Sequence, residues 1–314
     1  MSKNFAITGV GGYVAPRHLK AIKDTGNKLV AAVDPADSVG ILDRHFEDVS
    51  FFTEFERFDR HIEKLRRLDN DKQIHYVSIC SPNYLHDAHC RFALRVGADA
   101  ICEKPLVLNP WNLDALAELE QESGRKINTI LQLRVHPALI ALRKKLLKES
   151  PADKHEVILT YITSRGRWYL VSWKGQVERS GGLATNIGVH FFDLLTWLFG
   201  KAVTNEVHVS ELTTAGGYLK LERARVKWVL STDRKMLPPE AIKNNQPTYR
   251  SITIDGEEVE FSGGFTDLHT EVYRRTLDGN GFGLDDVRPS IELVHDIRVA
   301  NPIGVTDRSH DFLK

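Results

Sequence analysis

The first third of the chain alternates two incompatible periodicities, and that alternation restricts the fold more than any other feature. Residues 5–8, 28–33, 75–80 and 98–102 are short apolar runs without polar alternation, the pattern of strands covered on both faces. Between them lie helical patterns. Residues 16–25 carry Leu19 and Ile22 and stop at Gly26, and residues 84–96 stop at Gly97. Asn109 as N-cap and Pro110 as first helical residue open a helix through Leu113, Leu116 and Leu119 that ends at Gly124. Strands joined by helices rather than tight turns lie parallel, so this repetition predicts a doubly wound parallel sheet, the Rossmann arrangement.

Beyond about residue 127 the grammar changes. Segments 156–163, 207–213, 224–231 and 251–261 alternate apolar with polar positions, and the last contains Asp255-Gly256, a hairpin turn signal. They predict a second, α+β domain on a large open, mostly antiparallel sheet with one face against helices. Its expected helices cover 186–199 (closed by Gly200), 266–277 and 287–299. A chain of 314 residues is long enough for both domains. The expected division is 1–126 and 127–314.

Lys+Arg and Asp+Glu both number 42, so no net field steers nucleic acid or a membrane surface toward the chain. No apolar stretch approaches 18 residues, and Met1-Ser2-Lys3-Asn4-Phe5 enters a strand without the apolar region of a signal peptide. Cys80, Cys90 and Cys102 form no Cys-x-x-Cys pair, and Cys80 and Cys102 fall in expected core strands. A cytoplasmic, reducing location is expected.

Gly9-x-Gly11 follows the first strand and opens the first helix. Glycine there lets the backbone approach a pyrophosphate, which meets unpaired N–H groups at the helix N-terminus. The second strand ends in Asp34, whose carboxylate can accept from both ribose hydroxyls and repels a 2′-phosphate, which favours NAD over NADP. The third glycine of the fingerprint is replaced by Val14, with Pro16 in the first turn, and Gly12 can relax the loop instead. Two other nicotinamide chemistries fail on composition. No tyrosine has a lysine four residues on, as a short-chain dehydrogenase requires. His86-x-x-His89-Cys90 lacks the second ligand set of a metal-dependent alcohol dehydrogenase and reads as surface histidines, so no metal is expected.

The strand at 98–102 runs directly into Glu103-Lys104-Pro105. It presents a lysine at the carboxyl edge of the sheet, where open α/β sheets bind ligands. A lysine so placed can hold an anion or exchange protons. Ser164-Arg165-Gly166-Arg167-Trp168-Tyr169 puts guanidinium groups at the end of a strand, suited to carboxylate or phosphate. Lys174 and Arg134 are further candidate cations, and Arg167 is expected on the surface. Tyr169 and Trp173 are candidates to pack on a ring or to serve the core.

Four segments then form one pattern: Gly9-Val10-Gly11, Ser81-Pro82-Asn83-Tyr84-Leu85-His86, Glu103-Lys104-Pro105, and Asn186-Ile187-Gly188-Val189-His190-Phe191-Phe192-Asp193. The chain resembles the Gfo/Idh/MocA oxidoreductases in this pattern. Gly12-Tyr13-Val14-Ala15-Pro16-Arg17-His18, Tyr161-Ile162-Thr163-Ser164-Arg165-Gly166, Ser172-Trp173-Lys174-Gly175 and Pro247-Thr248-Tyr249-Arg250 resemble its UDP-N-acetylglucosaminuronate 3-dehydrogenases of lipopolysaccharide O-antigen synthesis. The resemblance runs from about residue 3 to 277. It implies NAD contacts at Gly9, Gly11, Gly12, Tyr13, Val14, Asp34, Ser81, Asn83, His86, Glu103, Lys104 and Gln132. It implies that Lys104 and His190 are the catalytic pair flanking the reacting carbinol. Substrate contacts are expected at Lys104, Arg165, Tyr169, Trp173, Lys174, Asn186 and His190.

An alcohol oxidation needs a hydride acceptor, one base and one group that polarises the oxygen, and Lys104 and His190 can divide the latter two roles either way. His190 is preferred as base. Asn186 stands where many relatives carry aspartate. An amide cannot be a base, so Asn186 is expected to orient substrate hydroxyls from the helical face of His190, four residues on. The expected activity is NAD-dependent oxidation of the 3-hydroxyl of UDP-N-acetylglucosaminuronic acid. In some relatives bound NADH is reoxidised by 2-oxoglutarate. A homo-oligomer, tetramer or dimer, built on the exposed face of the second sheet is expected. The competing expectations are a dehydrogenase of another sugar acid or inositol, and a binding protein that senses NAD without turnover.

Overall fold

The computed structural model describes residues 2–37, 40–68, 71–150, 152, 154–261 and 267–314, with the backbone alone at residue 68. Its elements run β1 (Asn4–Thr8), α1 (Ala15–Asp24), β2 (Lys28–Val33), α2 (Gly40–Asp43), β3 (Ser50–Phe52), α3 (Phe55–Leu68), β4 (Tyr76–Ile79), α4 (His86–Arg95), β5 (Asp99–Cys102), α5 (Trp111–Ser123) and β6 (Ile127–Thr129). There follow α6 (Pro137–Leu146), β7 (His155–Thr163), α7 (Arg167–Val171), α8 (Val177–Ser180), α9 (Val189–Phe199), β8 (Ala202–Ser210), β9 (Thr214–Leu221) and β10 (Ala224–Ser231). Last come α10 (Pro239–Lys243), β11 (Thr248–Ile254), β12 (Glu257–Glu258), α11 (Leu268–Leu277) and α12 (Leu284–Val299).

Two compact units result, residues 1–135 with 265–288, and residues 136–264 with 289–314. The boundary expected at 126 falls inside the first unit. β6 completes the first sheet beside β5, and α11 returns from late in the chain to pack on α1. Three-residue β6 is too short to show a period, and no local signal says that a helix will rejoin an earlier unit.

In the first unit all six strands are parallel in the order β3-β2-β1-β4-β5-β6. The order reverses between β1 and β4, so the ligand crevice of this fold class lies beyond their carboxyl ends, where Gly9 and Ser81 begin the loops. α1 buries Ala15, His18, Leu19 and Ile22, spaced three and four apart, against the sheet side. Pro16 occupies its first turn, where a missing N–H costs no helix bond. Full burial of Phe5, Ile7, Leu19 and Ile22 contributes about 1.5–3 kcal/mol each. All three cysteines are buried free thiols, and burial pushes Cys80 and Cys102 well above the usual thiol range.

The second unit holds the sheet β12-β11-β7-β10-β9-β8, in which only β7–β10 pair parallel. Asp255 (φ 52°) and Gly256 (φ 86°) close the β11–β12 hairpin, as their dipeptide predicts. The strand expected to reach residue 261 stops at Glu258. α9 buries every residue except His190 and Trp197, and Phe192 meets Trp228 of β10 edge-on at 5.3 Å.

The helix expected over 186–199 has two parts, a π turn (Ala184–Gly188) followed by α9. A Cβ at Gly188 would stand 2.5 Å from Leu230 Cδ1 and 2.9 Å from the Phe192 ring, so any larger residue here would have to displace these two buried side chains. The expected helix 266–277 begins at Leu268, with Thr266 outside the described residues, and that at 287–299 begins at Leu284 and passes through Pro289. The C-terminal tail lies along the second sheet. Ile303 N–H donates to Val207 O, Ser309 Oγ meets His208 Nδ1 at 2.8 Å, and His310 Nε2 meets Thr160 Oγ1 at 2.8 Å.

Candidate active site

The β1–α1 loop has the form a dinucleotide needs. Gly9 holds φ +76°, and a Cβ there would lie 2.6 Å from Cys80 C and O and from Ser81 N, so the loop lies against the start of the β4–α4 loop. Gly12 N–H donates to Gly9 O at 3.0 Å, and Gly11 N–H donates to Asp34 Oδ2 at 2.9 Å. Asp34 Oδ1 accepts from Ala36 N–H at 2.9 Å, so both oxygens are oriented and each retains a lone pair for a ribose hydroxyl. Val14 is the residue before α1, and Tyr13 stands 82% exposed with the Arg17 guanidinium over its ring at 5.9 Å. The oxygens Thr8 Oγ1, Thr129 Oγ1 and Gln132 Oε1 are buried without a hydrogen-bond partner among the described residues. Thr8 and Thr129 end β1 and β6, and Gln132 follows β6, so this edge of the sheet keeps polar capacity that a ligand can satisfy. These residues fit NAD.

Lys104, half-buried, follows β5 in a main chain held on both sides by buried side chains. On one side His86 Nδ1 lies 2.7 Å from Pro105 O and its Nε2 lies 2.8 Å from Ser81 O. Burial lowers the pKa of His86 against the pull of both carbonyls, and a neutral ring donates to one of them at a time. His89 Nδ1 meets Ser81 Oγ at 2.8 Å and stacks on Phe55 at 4.8 Å. His86 and His89 are therefore not surface residues. The α4 face that carries them turns inward, and His86, expected to contact NAD, has both ring nitrogens turned to main-chain carbonyls, one of which receives its N–H. Asn83, buried, opens the short 3-10 turn between Ser81 and α4.

On the other side, Glu103 Oε1 accepts from His18 Nε2 at 3.0 Å and from His269 Nε2 at 2.9 Å, while Oε2 accepts from Lys104 N–H at 3.2 Å. Burial alone would raise the Glu103 pKa. The hydrogen bonds from the two histidines outweigh it and hold the carboxyl well below its usual range. Glu103, expected at the cofactor, is occupied with its own chain. Sequence inspection missed His18, His269 and Tyr273. The available signal was His18 itself, on the buried face of α1, where a polar ring requires a partner. Arg134 also departs from expectation. It is 6% exposed, with Nη1 on Asp286 Oδ1 at 3.0 Å and Nη2 on Asp286 O at 2.7 Å, so it ties the turn after β6 to the start of α12.

In the second unit, half-buried His190 lies edge-on to Tyr161 at 5.8 Å and tilted over Phe191 at 4.1 Å. Asn186, in the π turn, donates from Nδ2 to Tyr169 Oη at 2.6 Å. Burial raises the Tyr169 pKa, opposed by Asn186 and by the nearby Arg165 charge. Arg165 and Arg167 are both exposed, and Lys174 Nζ lies 5.8 Å from the Trp173 ring. Tyr169 and Lys174 line a cavity of about 280 Å³ with Ser210, Leu212 and Arg298. Arg298, whose pKa burial lowers, was not singled out by sequence because it ends a helix with no motif. A larger hollow in the first unit, of about 740 Å³, is lined by Arg66, Arg91 and Arg95, each ion-paired to Glu63, Asp87 or Asp59.

Residues 3–130 match the family model "Oxidoreductase family, NAD-binding Rossmann fold", and residues 155–226 match its C-terminal alpha/beta domain, both of the Gfo/Idh/MocA oxidoreductases. The chain belongs to this family, as its motifs implied. Within it, the chain is similar over its whole length to the WlbA (WbpB) dehydrogenase from Thermus thermophilus. The structure of that enzyme with NAD and alpha-ketoglutarate is 52% identical, covering 99% of this chain and 100% of that one, with a TM-score of 0.95. Its structure with NAD and UDP-GlcNAcA is 51% identical over the same shares, with a TM-score of 0.94. The D-glucoside 3-dehydrogenase of Escherichia coli is 26% identical over 145 residues, 45% of this chain and 40% of that protein. The matched stretch thus spans less than half of that curated relative.

Proposed function

We propose that this chain is an NAD-dependent dehydrogenase that oxidises the 3-hydroxyl of UDP-N-acetylglucosaminuronic acid to the 3-keto sugar. The observation that carries the reading is 51% identity across 99% of the chain to a dehydrogenase crystallised with NAD and UDP-GlcNAcA. NAD, when bound, supplies the hydride acceptor. His190 takes the hydroxyl proton, and Lys104 hydrogen-bonds the carbinol oxygen as the carbonyl forms. Asn186, oriented by Tyr169, hydrogen-bonds sugar hydroxyls. Arg165 and Lys174 are the cations for the carboxylate and diphosphate, and Arg298 joins Lys174 along one cavity wall.

The same proton-handling pair serves the return half. The keto carbon of 2-oxoglutarate takes a hydride and its oxygen a proton, which gives 2-hydroxyglutarate and restores NAD. The enzyme works in the cytoplasm, as a homo-oligomer, on sugars destined for lipopolysaccharide O-antigen. The cytoplasmic assignment agrees with buried free thiols and with the lack, among the described residues, of any helix long and apolar enough to cross a membrane.

The test is incubation of purified protein with UDP-N-acetylglucosaminuronate, NAD and 2-oxoglutarate. Formation of 2-hydroxyglutarate together with the 3-keto sugar is the expected result. Tight NAD binding with no turnover on this or any sugar acid or inositol would replace the enzyme by an NAD-sensing protein.

A further inference from the structure

We propose that His18, His269 and Tyr273 are positioning residues for Lys104, acting on its main chain through the carboxylate of Glu103. The assignment rests on the reading of Lys104 as a proton-handling group. Its basis is a buried chain of hydrogen bonds within the first unit. Ser78 Oγ meets Tyr273 Oη at 2.6 Å, Tyr273 Oη meets His18 Nδ1 at 2.7 Å, and His18 Nε2 and His269 Nε2 converge on Glu103 Oε1. Ser78, His18 and Tyr273 are 0% exposed and Glu103 and His269 are 5% and 7% exposed, so the chain from Ser78 to His18 is closed to water.

The direction of the chain follows from its end. A carboxylate only accepts, so both histidines present Nε2–H to Glu103. Burial lowers the pKa of His18 despite Glu103, which keeps the ring neutral with Nδ1 as an acceptor. Tyr273 therefore donates to Nδ1, and Ser78 donates to Tyr273. Tyr273 thus selects the His18 tautomer that grips Glu103. With Oε1 held from two sides, Oε2 stays on the Lys104 amide, while His86 holds Pro105 O one residue later. A half-exposed lysine gains a fixed Cα from which its ammonium can be aimed. Simple packing does not call for this arrangement, because apolar residues of the same volume fill such a space without a buried anion.

His18, Glu103 and His269 also present ligand-type atoms within 4.8 Å of one another, so a bound metal is the competing explanation. Three variants of the full-length protein test the assignment: His269→Ala, His269→Gln (which keeps an N–H for Glu103) and Tyr273→Phe. Two readouts are used, steady-state kinetics and hydrogen exchange at the Lys104 amide. His269→Ala is expected to lower kcat on the order of tenfold, with KM for NAD within about twofold, and to speed Lys104 exchange about tenfold. His269→Gln is expected to restore most of both. If His269→Ala does not fold, Tyr273→Phe, which removes one hydroxyl, carries the test and is expected to shift both readouts in the same direction. Folded variants with wild-type kcat and wild-type exchange overturn the proposal. One equivalent of zinc in the purified protein, lost on His269→Ala, also overturns it. If the wild type fails to oxidise the UDP-sugar acid, the functional reading fails alone, and amide exchange still decides whether Lys104 is held in this way.

Discussion

Gly9→Ala isolates the geometry on which cofactor binding depends. At φ +76° an L-residue costs about 1–2 kcal/mol. The added methyl would stand 2.6 Å from three main-chain atoms of Cys80 and Ser81, and Gly9 N–H is itself tied to Val33 O at 2.8 Å, so no flexible side chain can yield. Relieving such overlap adds about 1–3 kcal/mol, as in an overfilled core. The total is about 2–5 kcal/mol. If the strands spread to absorb it, urea stability falls by that amount. If the loop moves instead, NAD affinity falls at least about 30-fold, the equivalent of about 2 kcal/mol. Gly26→Ala is the control: φ is +73°, but no heavy atom lies within 4 Å, so it pays only the conformational cost and leaves NAD affinity unchanged. Fluorescence titration with NAD and urea unfolding without it measure both outcomes. The reasoning is refuted if Gly9→Ala loses less than about 0.5 kcal/mol and still binds NAD within about threefold of wild type.

Lys104→Ala and His190→Asn should each depress turnover on the order of 100-fold, and wild-type-like rates in both would remove them from the mechanism. Asp34→Ala should weaken NAD about tenfold and admit NADP, because it removes the carboxylate that accepts ribose hydroxyls and repels a 2′-phosphate; unchanged cofactor preference in kinetics would count against that role. Burial holds the pKa of His89 at about 4, against 6.5 in the unfolded chain. The unfolded state therefore binds more protons below pH 6.5, and stability present above that value is lost as pH falls toward 4, by about 3 kcal/mol at the limit. His89→Gln keeps a polar partner for Ser81 and should flatten the loss of Tm between pH 6.5 and 4.5; an equal loss in both proteins would show that His89 is not the titrating group.

What could be read from the sequence follows the range of each interaction. β2 spans residues 28–33 as expected, and β1, β4, β5 and α1 differ by one or two residues, because strand burial and helix stops are written in consecutive residues. β3 and β6 went unseen, since three residues carry no period, and their existence depends on neighbours already in place. The π turn before α9 was read as ordinary helix. Residues 186–188 carry no stop signal that separates them from α9, and the close neighbour of Gly188, Leu230, lies on another strand. Arg134 looked like a ligand-binding cation because its partner, Asp286, is 152 residues away.

The same argument explains why Lys104 was found and its supports were not. Lys104 announces itself locally, as a charge directly after an apolar strand and before proline. Glu103 shares that motif, but its partners His18 and His269 lie 85 and 166 residues away, and Tyr273 lies 255 residues from His18. Each alone has an ordinary explanation: a histidine on a helix, a tyrosine in a core. Only convergence on one buried carboxylate gives them a shared role. Chemistry-bearing groups are therefore legible where a strand end exposes them, while the groups that aim them are legible only once the fold has closed. The return of residues 265–288 to the first unit is then more than a topological detail, because it delivers His269 and Tyr273 to the strand that ends in Lys104.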